Sequence, residues 1–355
     1  MSDHDQQISK AEPLLEIRHL DVDYLTLRGD LRAVDDVSLT LHRGEILGLA
    51  GESGSGKSTL ITALLRLQRP PAVTAGGQVL LHRSDGRDPI DLVSMTDKQL
   101  RELRWTRLSI VMQSAMDALN PVKRLGVQFV DVLRSHNGSM TKRNALERAA
   151  ELLEMAGIPR DRLMSYPHEM SGGMRQRSLI ALALACQPDV VVMDEPTTAV
   201  DVVMQRSILS KVLQLQRELG FAVIFVTHDL SLLLELADRV AIMYAGQIVE
   251  LGPARRIYSD PQHPYSKALR DSFPPLYAPL QEMRGLPGTP PDLRHMPPGC
   301  RFAPRCPIVT EACSRKEPEL LPIGDGEVAC LLRQPVSAER KTEPEPAPVD
   351  KEVLA

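Results

Sequence analysis

The chain of 355 residues is long enough for two folded units, and 43% apolar with 25% charged residues suits an ordinary hydrophobic core. A formal charge of −4 with no basic block argues against a nucleic-acid partner. No run reaches the roughly 18 apolar residues of a membrane-spanning helix, so any work at a membrane is expected to pass through partners.

Residues 1–12 are polar, lack the apolar region of a secretion signal and are expected to be disordered. Strand-like runs follow at Leu14–Leu25 and Leu31–Leu41. Glu45–Ala50 reads as a short buried strand that runs into Gly51–Thr59 (GESGSGKST), and a helical stretch begins there. From about Thr96 to Leu163 the pattern is helical and charged. Val190–Met193 is a continuous apolar run, as a strand covered on both faces requires. The next segment repeats apolar residues at Ile208, Val212, Leu215 and Leu219, a single helix face that Gly220 is placed to cap. Phe221–Val226 reads as another buried strand, and Val240–Val249 as a hairpin turning at Ala245-Gly246. Residues 261–300 are proline-rich and weakly periodic, and 334–355 have the composition of a disordered tail.

Strand, glycine loop and helix form the context in which Gly51-x4-Gly56-Lys57-Ser58 binds phosphate. Glycines let backbone N–H groups turn inward around an anion, and the helix N-terminus faces the same charge. The expected nucleotide contacts are Gly51, Ser53, Gly54, Ser55, Gly56, Lys57, Ser58 and Thr59. Lys57 would reach the β and γ phosphates, and Ser58 would join a Mg²⁺ shell. Asp194, closing the apolar run, is a second Mg²⁺ candidate. Glu195 points the opposite way from the strand end, placed to orient or deprotonate an attacking water.

Met170-Ser171-Gly172-Gly173-Met174, followed by Arg-Gln-Arg, resembles the signature motif of ATP-binding-cassette (ABC) ATPases, and further motifs follow that family's order. Gln113 resembles the Q-loop glutamine, a Mg²⁺ ligand. Thr198–Asp201 resembles the D-loop, His228 the switch histidine that contacts the γ-phosphate, and Tyr24 the aromatic that stacks on adenine. The resemblance covers residues 13–255 almost continuously. It implies an α/β fold with a RecA-like mixed sheet, an antiparallel β subdomain and a helical signature subdomain at about 96–175. It also implies that Ser171, Gly172 and Gly173 cap ATP held by a second subunit.

Met116–Pro121, the GGMRQR ending of the signature, His263–Ser266, Gly288–Leu293 and Gly299–Pro307 resemble dipeptide, oligopeptide and nickel importer ATPases. That resemblance implies a cassette at 13–260 and a small loop-rich extension at 261–333. It implies an ATPase subunit at the cytoplasmic face of the bacterial inner membrane, with a second ATPase, two permeases and, indirectly, an extracytoplasmic solute-binding protein. Peptide is the solute expected; nickel and oligosaccharide are alternatives within the class. A soluble ABC ATPase serving nucleic acid, ribosome or cluster assembly would keep the nucleotide motifs, but the extension argues against it.

Five cysteines occur, and four of them, Cys300, Cys306, Cys313 and Cys330, crowd the extension. Cys186 reads as a buried core residue. For the four, free thiols packed in a loop-rich segment are one reading; on the premise that a segment poor in large apolar residues needs a metal staple, spacing leaves iron and zinc open. The importer resemblance implies a [4Fe–4S] cluster there; Arg301 and Arg305 read either as positive charge beside it or as a solvated face.

Overall fold

The computed structural model describes residues 12–27, 29–112, 118–196, 202–272 and 288–333. In chain order the strands are β1 Pro13–Tyr24, β2 Leu31–His42, β3 Ile46–Ala50, β4 Ala72–Leu81, β5 Ile90–Asp91, β6 Leu108–Val111, β7 Val190–Asp194, β8 Ala222–Val226, β9 Arg239–Tyr244, β10 Gln247–Pro253, β11 Leu321–Ile323 and β12 Gly326–Val328. The helices are α1 Lys57–Leu64, α2 Asp97–Leu103, α3 Leu125–His136, α4 Lys142–Met155, α5 Gly172–Ala183, α6 Val202–Leu219, α7 Leu230–Leu236, α8 Ala254–Ser259, α9 Pro264–Asp271 and α10 Glu311–Arg315.

Two sheets organise the molecule: an antiparallel sheet in the order β2-β1-β4-β5, and a mixed sheet in the order β11-β12-β10-β9-β3-β8-β7-β6. β3, β7 and β8 are buried at every position, so their apolar runs need no alternation. They pair in parallel, with β8 between β3 and β7. Side chains still alternate between the faces of the mixed sheet. Val190 and Val192 join α1 and the antiparallel sheet in one core, whereas Val191 and Met193 join α3, α4, α5 and α6 in the other. α1 therefore lies between the two sheets, with Leu60, Ile61, Ala63 and Leu64 buried.

The β9–β10 hairpin forms where it is predicted. Ala245 and Gly246 both have positive φ, at 47° and 91°, the pattern of a two-residue turn that matches strand twist. Two departures concern short strands. β6 lies within the stretch read as helical, and four residues offer too little pattern to mark it. β11 and β12 bring the end of the described chain onto the edge of the mixed sheet, where Glu250 pairs with Val328. The extension thus continues the main sheet, and Tyr265, Leu269 and Phe302 are buried in the same core as Tyr244.

His263 holds this junction. Its backbone N–H donates to Glu250 Oε2 at 2.9 Å, its Nδ1 accepts the Tyr265 amide at 3.1 Å, and its ring also bonds the backbone of Ala329. Burial holds its pKa down to about 3, against the weaker opposing effect of the Ala329 bond. The unfolded chain then binds one more proton than the folded chain between pH of about 3 and about 6.5. Stability from this group is complete above the unfolded pKa and falls with falling pH, by at most about 1.4 kcal/mol per pH unit. Urea unfolding of His263→Gln should therefore show a shallower loss of stability than the wild type between about pH 6.5 and 5. Parallel pH slopes for the two proteins would contradict this.

Candidate functional site

β3, β7 and β8 end together, at the edge where open α/β sheets bind ligands: β3 runs into a glycine loop, β7 into Glu195 and β8 into Thr227. β3 leads into Gly51–Gly56 and α1. Gly56 precedes α1 with φ 106°, and a Cβ there would lie 2.4 Å from the Ala33 carbonyl oxygen. Only glycine combines that backbone with that approach. The Lys57 ammonium donates to the carbonyls of Gly51 at 2.7 Å and Glu52 at 2.8 Å and to Ser55 Oγ at 3.3 Å. Burial lowers its pKa, while Glu195, Asp194 and Glu52 pull the other way.

Asp194 ends β7 and is 7% exposed, with its carboxylate hydrogen-bonded by Ser58. Burial, followed by the neighbouring Glu195, raises its pKa. An exposed hydroxyl bonded to a buried carboxylate supplies the oxygen donors that Mg²⁺ prefers. Glu195 leaves the strand with φ 45°, so adjacent carboxylates serve different neighbours. Its Oε1 lies 3.2 Å from Nδ1 of His228, which follows β8 after the buried Thr227. Tyr24, at the end of β1, places its phenol oxygen 3.1 Å from Thr59 Oγ1, beside the first turn of α1.

Ser171 caps α5, accepting the Met174 amide at 3.3 Å. It is exposed, and Gly172 and Gly173 open the helix behind it. Gly173 is buried at a close helix approach, where a Cβ would lie 2.4 Å from Met204 Sδ. Gln113, Asp201 with the rest of Thr198–Asp201, Met116, Asp117 and the terminal stretches 1–11 and 334–355 lie outside the described residues.

The metal staple expected at Cys300, Cys306, Cys313 and Cys330 is not supported. Among the described residues, no group of three or more histidine, cysteine or acidic side chains is arranged to hold a metal ion. Burial raises the Cys300 thiol to about 11 and also raises Cys306 and Cys330. The premise fails for a physical reason. The extension does not depend on a core of its own, because Phe302 is buried in the main core and Cys300 and Cys306 pack against it. Arg301 and Arg305 are engaged with acidic groups and backbone oxygens elsewhere.

Residues 34–198 match the family model described as ABC transporter, and residues 249–313 match the oligopeptide/dipeptide transporter C-terminal region. A Brucella abortus protein named "Putative peptide import ATP-binding protein" is 43% identical over 328 residues, covering 92% of this chain and 97% of that protein. A Brucella melitensis protein of the same description is 41% identical over 337 residues, covering 92% and 99%. A solved dimeric ATP-binding cassette bound to ADP and Pi superposes with a TM-score of 0.59 at 26% identity, covering 68% of this chain and 99% of that one. A component of an ABC transporter complex from Clostridium perfringens gives 0.58 at 25% identity, covering 70% and 92%. Neither matching family description includes an iron–sulfur cluster.

Proposed function

The chain belongs to the ATP-binding subunits of ABC transporters, in the branch with the oligopeptide/dipeptide C-terminal region, and on that premise we propose that it hydrolyses ATP to power import of a peptide-class solute. One observation carries the chemistry: Lys57, the Ser58–Asp194 pair and the Glu195–His228 pair meet at the carboxyl ends of three parallel strands.

In this proposal the Lys57 ammonium and the backbone of Gly51, Ser53, Gly54, Ser55, Gly56, Lys57, Ser58 and Thr59 bind the ATP phosphates, and Tyr24 stacks on the base. Ser58, Asp194 and Gln113 would hold Mg²⁺, which supplies positive charge to the β and γ phosphate oxygens when bound. Glu195 takes the proton of the attacking water, and His228 orients Glu195 and contacts the γ-phosphate. Ser171, Gly172 and Gly173 serve the ATP of a second ATP-binding subunit, with a hydroxyl and a helix N-terminus aimed at its γ-phosphate. Asp201, on the segment that resembles the D-loop, is assigned with them to nucleotide binding.

Two permeases complete the assembly, with a solute-binding protein outside the membrane. Among the described residues no helix is long and apolar enough to cross a membrane. The match to peptide-import ATP-binding proteins supports reading the chain as a peripheral subunit at the cytoplasmic face. A groove of about 510 Å³, lined in part by Trp105, Ile110, Met112, Ala118, Val132 and Leu182, suits a permease helix. The test is reconstitution of this chain with its permeases and companion ATPase in vesicles. Peptide-loaded binding protein should stimulate ATP hydrolysis and peptide uptake together. Stimulation by a nickel- or oligosaccharide-binding protein instead would reassign the solute, and indifference to every binding protein would refute the importer role.

A further inference from the structure

The segment Gly299–Pro307 carries two arginines that the nucleotide chemistry above leaves unused. Arg305 contacts the phosphate loop directly, and Arg301 contacts the β9–β10 turn that bonds it. Arg305, its side chain only 4% exposed, grips Glu52 with two parallel bonds, Nη1 to Oε2 at 2.7 Å and Nη2 to Oε1 at 3.0 Å. The Tyr265 phenol accepts the Glu52 amide at 2.8 Å. The carbonyl of the same residue accepts the Lys57 ammonium at 2.8 Å. A continuous line of contacts thus runs from Arg305 through Glu52 to the lysine that meets ATP.

Arg301 provides a parallel support. It donates to the Ala245 carbonyl at 2.6 Å and pairs with Asp35, and the adjoining Gly246 amide donates to the Ser55 carbonyl at 2.9 Å. Aromatic packing stiffens the base of both arms. Phe302 meets the Tyr244 ring edge-on at 5.3 Å between centroids and lies 5.5 Å from Tyr265. The Arg305 guanidinium lies 5.8 Å from the centre of the Tyr244 ring.

We propose that Arg305 is a positioning residue for the phosphate loop, and that segment 299–307 is a brace fixing Glu52, and through it Lys57, in the geometry that receives ATP. This rests on the ATP-binding assignment of residues 51–59. A two-pronged guanidinium–carboxylate contact fixes orientation as well as distance, which lysine cannot reproduce. The pair's value lies in where it points: a buried ion pair is by itself weak evidence for stability.

The test uses the full chain, with a fluorescent ATP analogue for Kd and the assembled transporter for KM and kcat. Arg305→Met keeps the apolar stem and should raise Kd and KM about tenfold, equivalent to about 1.4 kcal/mol. kcat at saturating ATP should stay within about twofold, the mark of lost binding shared by ground and transition states. Glu52→Gln should do the same, and the double variant should be no worse than either single variant, because both cut one line. Arg305→Lys should recover only part of the affinity. Unchanged Kd and KM in Arg305→Met would overturn the brace, as would a fall in kcat matching the active fraction at constant KM. Additive effects in the double variant would also overturn it. Should Arg305→Met fail to fold, Glu52→Gln and Arg305→Lys carry the same criteria. Absence of ATP binding in the wild type would defeat the nucleotide assignment and the brace together, whereas wild-type binding insensitive to all three changes defeats the brace alone.

Discussion

Glu195→Gln retains ATP and loses hydrolysis, by about 10²–10⁴-fold if the carboxylate acts as general base. The amide has nearly the same shape, so the residue can keep the left-handed backbone turn, φ 45°, that separates it from Asp194. What it loses is the capacity to accept a proton. The neighbouring binding groups, Lys57 and the Ser58–Asp194 pair, are untouched, so nucleotide affinity should stay within a few-fold. Because ATP is bound and not consumed, the two-subunit sandwich should accumulate. Phosphate release, equilibrium ATP binding and size-exclusion chromatography with ATP measure the three consequences. Turnover at the wild-type rate would remove Glu195 from its assigned role.

Lys57→Ala has the opposite signature. Truncating one member of a buried charged contact costs about 2–5 kcal/mol, so ATP affinity should fall by at least about 30-fold. The folded protein should tolerate the change. Burial already disfavours the Lys57 ammonium, and its hydrogen bonds go to backbone carbonyls of its own loop. Removing a desolvated charge relieves part of its burial cost. The expected result is a melting temperature close to wild type in a protein with almost no ATP binding. Tight binding by Lys57→Ala, measured by calorimetry, would contradict the assignment of residues 51–59.

What the sequence shows of this molecule depends on how local each feature is. Ile46–Ala50 and Val190–Asp194 are legible as buried strands because complete coverage demands an uninterrupted apolar run. The phosphate loop is legible because its chemistry is compressed into nine contiguous residues, Gly51–Thr59. β6, β11 and β12 are three or four residues long, too short for a period to develop. The Glu52–Arg305 contact joins positions 253 residues apart, and no spacing rule links a loop glutamate to so distant an arginine. The cysteines mislead for a related reason. Four thiols close in sequence suggest a segment stapled to itself, whereas its bulky aromatic, Phe302, is buried in the core formed by the rest of the chain.

The pairing of β12 with β10 also bears on how the protein is made. Synthesis runs from the N-terminus, and folding tends to follow it domain by domain. Here the edge strand, the Glu52 clasp and the Arg301–Asp35 contact all wait for residues beyond 300, and the last of these spans 266 positions. The catalytic loop therefore gains its outermost supports only when most of the chain has left the ribosome. On the brace proposal, a nascent subunit lacking residues beyond 300 would hold ATP less firmly than one in which these contacts have formed.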